Sequence, residues 1–178
     1  VIKQILLMIL KTRDSRTGLL YHAWDESRSE NWANKETGCS PEFWGRSVGW
    51  VPVAILDDLD FISRDTPEYD KICQSLCALL DAVCKVQSIE GRWYQVLDKG
   101  GEEGNWLETS CSCLFVAALC KAIRKGILNS EYMRFAEKGY EAVINSLEWD
   151  RDDILIGNVC IGTGVGDYRH YCDRPVIV

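Results

Sequence analysis

Histidine is scarce in this 178-residue chain, which carries only His22 and His170, and none of its nine cysteines forms a Cys-x-x-Cys pair. Zinc cages are built from such closely spaced ligands, so no metal site is expected. Long hydrophobic runs are missing too. The longest stretch without a charged residue, Ile154–Gly166, is Gly-rich and well short of the roughly 20 apolar residues that cross a bilayer, so no membrane partner is expected. Basic excess is also lacking: 20 Lys+Arg stand against 27 Asp+Glu, giving a net charge of −7. The bases are scattered rather than clustered, which argues against a nucleic-acid partner. Proline is rare, with 4 residues, and 47% of the chain is apolar, a globular composition remote from disorder.

What is present is helical periodicity. Apolar residues recur at helical spacing over residues 1–12, 46–63, 67–88, 107–125 and 130–147. Pro67 suits a first helical turn, Gly126 a left-handed stop and Ser130 an N-cap. Cys73, Cys77 and Cys84, and likewise Cys113 and Cys120, fall at helical intervals and read as small buried hydrophobes. Unpaired cysteines suit a reducing, cytoplasmic setting. Both ends, from Val1 and through Arg174–Val178, are apolar, whereas domain termini are usually polar, so the chain reads as a single domain (residues 1–178) cut from a longer one.

Long connections alternate with short ones: 13–45 and 89–106 are long, 64–66 and 127–129 short. Short links make helical hairpins. The long links resemble each other, Gly18-Leu-Leu-Tyr-His-Ala-Trp-Asp25 matching Gly91-Arg-Trp-Tyr-Gln-Val-Leu-Asp98 at Gly, Tyr and Asp. A third copy opens near residues 154–172. A repeated loop–helix–helix unit stacks into an open solenoid or a closed toroid, with the long loops at one end; the toroid is the expected architecture.

Chemistry concentrates in Ser40-Pro41-Glu42-Phe43-Trp44-Gly45-Arg46-Ser47-Val48-Gly49-Trp50. An Arg between two Trp at a loop-to-helix entry offers a planar fork for a carboxylate beside aromatic faces for a sugar ring. Gly45 and Gly49 would let the backbone approach a ligand. The competing reading makes Trp44 and Trp50 core anchors and Arg46 one half of a structural ion pair. His22, with Asp25 nearby, is either a proton-handling group or a satisfied loop histidine. Glu108 reads as a helix-start acid favoured by the dipole. Gly162–Gly166 lacks the strand-then-helix context of a phosphate loop.

The run Gly18–Ser27, with Trp32-Ala33, Thr37-Gly38, Ser40–Arg46 and Gly49-Trp50, resembles glycoside hydrolase family 105, the unsaturated rhamnogalacturonyl hydrolases, which are related to the family 88 unsaturated glucuronyl hydrolases. Trp93–Asp98, Gly104–Ser110 and Gly162–Tyr168 are similar to the same family. The resemblance implies an all-α fold, here about half of an (α/α)6 six-hairpin barrel. It implies removal of a terminal 4,5-unsaturated galacturonyl residue from rhamnose in pectin-derived rhamnogalacturonan by hydration of the double bond, without cofactor. It places His22, Trp44, Arg46 and Trp50 in the substrate pocket. The family's acid/base Asp belongs upstream of the His motif, where this chain offers only Asp14 in a turn, so no catalytic residue is expected within it. The family's closing segment is also missing. A broken ring exposes apolar surface, from which self-association or a covering second chain is expected. The alternatives are a non-catalytic module for acidic saccharides and a helical scaffold for protein partners.

Overall fold

The computed structural model describes residues 1–151 and 153–177, so Val178 at the apolar C-terminal end lies outside the described residues. The chain is mostly helical. Its principal helices are α1 (Ile2–Thr12), α2 (Gly45–Asp58), α3 (Tyr69–Lys85), α4 (Thr109–Arg124) and α5 (Met133–Ile144), followed by a short α6 (Tyr168–Cys172). Three two-stranded antiparallel ribbons sit in the long connections: β1 (Trp93–Tyr94) with β2 (Leu107–Glu108), β3 (Glu148–Asp150) with β4 (Asp153–Leu155), and β5 (Val159–Cys160) with β6 (Val176–Ile177).

Each expected helix is present, with shifts that have local causes. The second ends at Asp58 rather than 63, and residues 59–61 continue only as a turn. Pro67 lies in the turn before α3, which starts two residues later. Ser130 is not a cap; Asn129 is, its side chain accepting from the Glu131 N–H at the head of a single 3-10 turn that precedes α5. Gly126 does end α4 in the left-handed region, at φ +69°.

α2 packs along α4 and α4 along α5, while α3 lies behind α2 and touches α1. Leu76, Leu79, Leu80 and Val83 of α3 are fully buried, as are Phe115 and Leu119 of α4. Burial of each such side chain contributes about 1.5–3 kcal/mol. Trp93 is buried with them; its ring meets Phe115 at 5.3 Å and its indole N–H donates to the Val83 carbonyl.

The internal repeat is structural. Gly18 (φ +78°) presses on Ala82 of α3, and Gly91 (φ +102°) presses on Lys138 and Ala142 of α5, so each repeat begins with a left-handed residue against the second helix of the following hairpin. A side chain at either place would be strained by its backbone angle and crowded by that helix.

Not every apolar position faces inward. Cys113 and Cys120 are exposed on α4, contrary to the expectation that they are buried, and Trp50 and Ala54 are exposed on α2. Cys39, Cys84, Cys111 and Cys160 are buried, and all nine cysteines are free thiols.

Candidate functional site

The three long connections are laced together by backbone hydrogen bonds at one end of the helices. Gly45 N donates to Gln95 O and Leu97 N to Phe43 O, joining the first loop to the second. Gln95 N donates to Trp106 O, closing the second loop on itself, and Thr109 N at the start of α4 donates to Asn158 O, joining it to the third. The starts of α2 and α4 are thereby fixed beside residues 158–160, and the side chains that converge there come from segments far apart in sequence.

Arg46, in the first turn of α2, is held on three sides. Its Nε donates to Ser110 Oγ at 2.8 Å, and its Nη2 donates to Glu108 Oε1 at 2.9 Å and to the Cys160 carbonyl. Glu108 has no solvent exposure and receives, besides Arg46, the Ser110 hydroxyl and the backbone N–H groups of Cys111 and Cys160. Burial alone would push the Glu108 carboxyl up; the N–H groups of Cys111 and Cys160, the Ser110 hydroxyl and Arg46 outweigh it and hold it below the usual range. Glu108 is thus the helix-start acid read from the sequence and, in addition, the anchor of Arg46. The guanidinium keeps its Nη1 end without a partner among the described residues and open to solvent, its side chain being 18% exposed. An anchored guanidinium with one free pair of N–H donors is suited to receive an anion.

His22 lies against Trp44, ring centroids 4.7 Å apart, and Trp44 in turn stacks on Tyr171 at 6.0 Å with 19° between planes. Trp44 is 6% exposed, with its indole N–H donating to Gln95 Oε1 at 3.0 Å. Arg46 sits over the other part of this group, 5.6 Å from the Trp44 ring centre. Gln95 Nε2 donates to the Tyr171 carbonyl, tying the stack to α6. His22 Nδ1 is 2.6 Å from the Tyr171 hydroxyl. Burial, and after it the nearby His170, lowers the His22 pKa to about 4.

His22, Trp44 and Arg46 are therefore contiguous. Trp50 is one helical turn beyond Arg46 on the same face of α2 and 57% exposed, an indole open to solvent rather than a member of the stack. Asp25 does not serve His22. Its carboxylate accepts from the Glu30, Ser27 and Ser29 N–H groups in an exposed turn, and these hold it down to about 2, Glu30 foremost. The two glycines of the motif have a packing task instead of admitting a ligand. A Cβ on Gly45 would lie 2.9 Å from Cys111 Sγ and 3.0 Å from the Tyr94 carbonyl, and one on Gly49 would lie 3.0 Å from Leu114. They let α2 approach α4.

The cavity that His22 lines with Ser47 and Val51 measures about 110 Å³, well below the roughly 300 Å³ of an ordinary ligand pocket. A larger recess of about 540 Å³ lies between Arg13, Tyr21, Trp32 and Asn34, away from Arg46 and Trp44. His22 and Arg46, each lying against Trp44, thus share one region of the described surface. Tyr171, Gln95 and Cys160 were not singled out as site members from sequence; Gln95 stood out only as the repeat counterpart of His22, and the other two have no motif signal.

Stacked helical hairpins with their long loops gathered at one end are the architecture of α/α-barrel glycoside hydrolases. The match extends over residues 1–178, and the chain belongs to Glycosyl Hydrolase Family 88. It is 36% identical over 175 residues to Protein Atu3128 of Agrobacterium fabrum, covering 90% of this chain and 75% of that protein. It is 28% identical over 153 residues to the unsaturated rhamnogalacturonyl hydrolase YesR of Bacillus subtilis, covering 86% of this chain and 39% of that enzyme. The fold superposes on a family 105 glycoside hydrolase of C. acetobutylicum with a TM-score of 0.95 at 34% identity, spanning 99% of this chain and 52% of that one. A possible family 105 member from Salmonella enterica gives a TM-score of 0.83 at 26% identity, spanning 98% and 44%. The chain spans about half the length of these solved relatives. No helix among the described residues is long and apolar enough to cross a membrane.

Proposed function

We propose that this chain is the substrate-binding portion of an unsaturated uronyl hydrolase, acting on a terminal 4,5-unsaturated galacturonyl residue linked to rhamnose in pectin-derived oligosaccharides within a reducing, cytoplasmic compartment. The observation that carries the reading is the Arg46 guanidinium, fixed by Glu108, Ser110 and Cys160 with its Nη1 end free, one turn from the open indole of Trp50. That pair matches an unsaturated uronic acid, whose planar carboxylate takes the fork while its ring lies on the indole. Family membership and the likeness to YesR support the same substrate class. His22 faces the same region, and Trp44 supports both His22 and Arg46.

In the proposed reaction a carboxylic acid protonates C4 of the double bond and water adds at C5. The added water returns a proton to the carboxylate. The C5 hemiketal opens by breaking the ring C5–O5 bond, leaving a ketone at C5 and a hemiacetal at C1. The hemiacetal then collapses to an aldehyde as its C1–O bond to the rhamnose breaks and its hydroxyl proton passes to the leaving oxygen. Arg46 orients the conjugated carboxylate, and His22 hydrogen-bonds the sugar. The general acid is proposed to come from outside residues 1–178, with the described helices forming about half of the (α/α)6 ring. A further stretch of chain, a second copy or another chain then covers the exposed face of α2 and α4.

The test is absorbance at the double-bond band with the full-length gene product and an unsaturated galacturonyl-rhamnose disaccharide. Steady loss of absorbance is expected, with Arg46→Ala lowering kcat/KM by about 10- to 100-fold, the value of a charge-assisted hydrogen bond. No loss of absorbance rejects the hydrolase. Calorimetric binding of an acidic oligosaccharide that depends on Arg46 but never leads to turnover supports the other reading, a saccharide-binding module.

A further inference from the structure

Tyr171 is fully buried, yet its hydroxyl sits between two partners: the Gly166 N–H at 3.3 Å and His22 Nδ1 at 2.6 Å. The Gly166 N–H can only donate, so the phenol oxygen accepts from it. A phenol has a single proton to give. If His22 Nδ1 carried a proton and donated it to the oxygen, the phenol's own proton would be left in the interior with no acceptor among the described residues, a cost of about 1–3 kcal/mol for a buried group. The arrangement that satisfies every group is Gly166 N–H to Tyr171 Oη, and Tyr171 O–H to His22 Nδ1. The imidazole proton is then on Nε2, which has no partner among the described residues and is open to solvent.

We propose that Tyr171 is a positioning residue that holds His22 as the neutral Nε2–H tautomer, so that the imidazole offers the bound sugar a hydrogen-bond donor and not a base. The acceptor it fits is a hydroxyl, ring or glycosidic oxygen of the saccharide. The support behind Tyr171 is built from the other loops. Gln95 bonds its carbonyl and Trp44 stacks on its ring, while its neighbour on α6, His170, meets it edge-on at 5.4 Å. The titratable groups around the pair favour the same state. His170 opposes a charge on His22; Glu42, whose carbonyl receives the His22 backbone N–H, is paired through its carboxylate with Lys99; and Asp167 is occupied capping α6. Burial raises the phenol to about 12, so it stays protonated and able to donate.

The use of the donor rests on the proposed saccharide site, but the tautomer does not, and the experiment separates them. In the full-length protein labelled with 15N-histidine, His22 is expected to show an unprotonated Nδ1 and a protonated Nε2 across neutral pH. Tyr171→Phe keeps the ring and its stacking but removes the donor; the two tautomers should then mix, and the His22 midpoint should rise by about one pH unit. Turnover in that variant should fall roughly tenfold, the worth of one misdirected hydrogen bond. In a His22→Gln background, where the amide supplies an N–H donor without a tautomer, Tyr171→Phe should cost almost nothing more. A protonated Nδ1 in the wild type, or an unchanged tautomer in Tyr171→Phe, overturns the positioning role even if the enzyme is active. A confirmed tautomer with equal losses from Tyr171→Phe in both backgrounds overturns the donor's part in binding.

Discussion

Arg46 and Glu108 form an ion pair in which the carboxylate is completely shielded from water and the guanidinium is not, with 2.9 Å between Nη2 and Oε1. The asymmetry sets the direction of dependence. Glu108 needs its donors to remain charged in the interior, whereas Arg46 needs Glu108 to point its free end outward. Glu108→Ala should therefore lower stability by about 3–5 kcal/mol, as expected when one partner of a buried pair is removed. Arg46→Lys should cost less stability, since a cation remains, yet lose the fork that binds a carboxylate. Urea unfolding followed by circular dichroism, with sugar binding in parallel, separates the two effects.

The same carboxylate gives a pH signature. Its folded pKa lies below the ordinary value, so its contribution is complete above the unfolded-state pKa, near 4.5, and is lost as pH falls through the folded one. Glu108→Gln should flatten the fall in urea midpoint in the acid range below that value. Parallel acid curves for wild type and variant would contradict the role.

His22 titrates in a different window. Its folded pKa of about 4 lies under the ordinary value of 6.5, so the unfolded chain binds a proton that the folded chain refuses. The stability tied to neutral His22 is whole above pH 6.5 and is lost as pH falls toward 4. The difference in urea midpoint between wild type and His22→Gln should shift steadily across that interval and be flat above it.

Gly45 tests the packing account of the motif. A helix normally gains from Gly→Ala, about 1 kcal/mol, but here the new Cβ meets Cys111 Sγ at 2.9 Å and the Tyr94 carbonyl at 3.0 Å. Overpacking of this kind costs about 1–3 kcal/mol. Gly45→Ala should lower the thermal midpoint, and a rise would show that α2 and α4 have room to part.

How far these relationships could be read from sequence depends on their range. The five main helices follow from a 3.6-residue period because the apolar stripe of each, such as Ile72, Leu76, Leu79 and Val83, reports a local geometry. The repeat was legible for the same reason, since Gly18 and Gly91 each answer to one backbone conformation. Arg46 and His22 were visible as unusual residues in a motif, but their partners were not. Glu108 is 62 residues from Arg46, and Tyr171 is 149 from His22. Periodicity carries no information on which loops share an end. The exposure of Trp50, Cys113 and Cys120 was equally hidden, because an apolar stripe looks alike whether it faces a neighbouring helix or nothing described.

That open stripe supplies the last prediction. Cys113 and Cys120 lie on the exposed face of α4, and Cys113 also lines an apolar groove with Ala117, Tyr140 and Ile144. If the remainder of a ring or another chain covers this face in the native protein, both thiols should be alkylated by iodoacetamide much more slowly than in the denatured protein. They should become reactive together at a denaturant concentration below that which exposes the fully buried Cys111, because an edge separates before a core melts. Mass spectrometry of the alkylated peptides reads each site by itself. Rapid labelling of Cys113 and Cys120 in the native protein, with Cys111 untouched, would mean that the face of α4 stands open to water and that nothing completes the ring there.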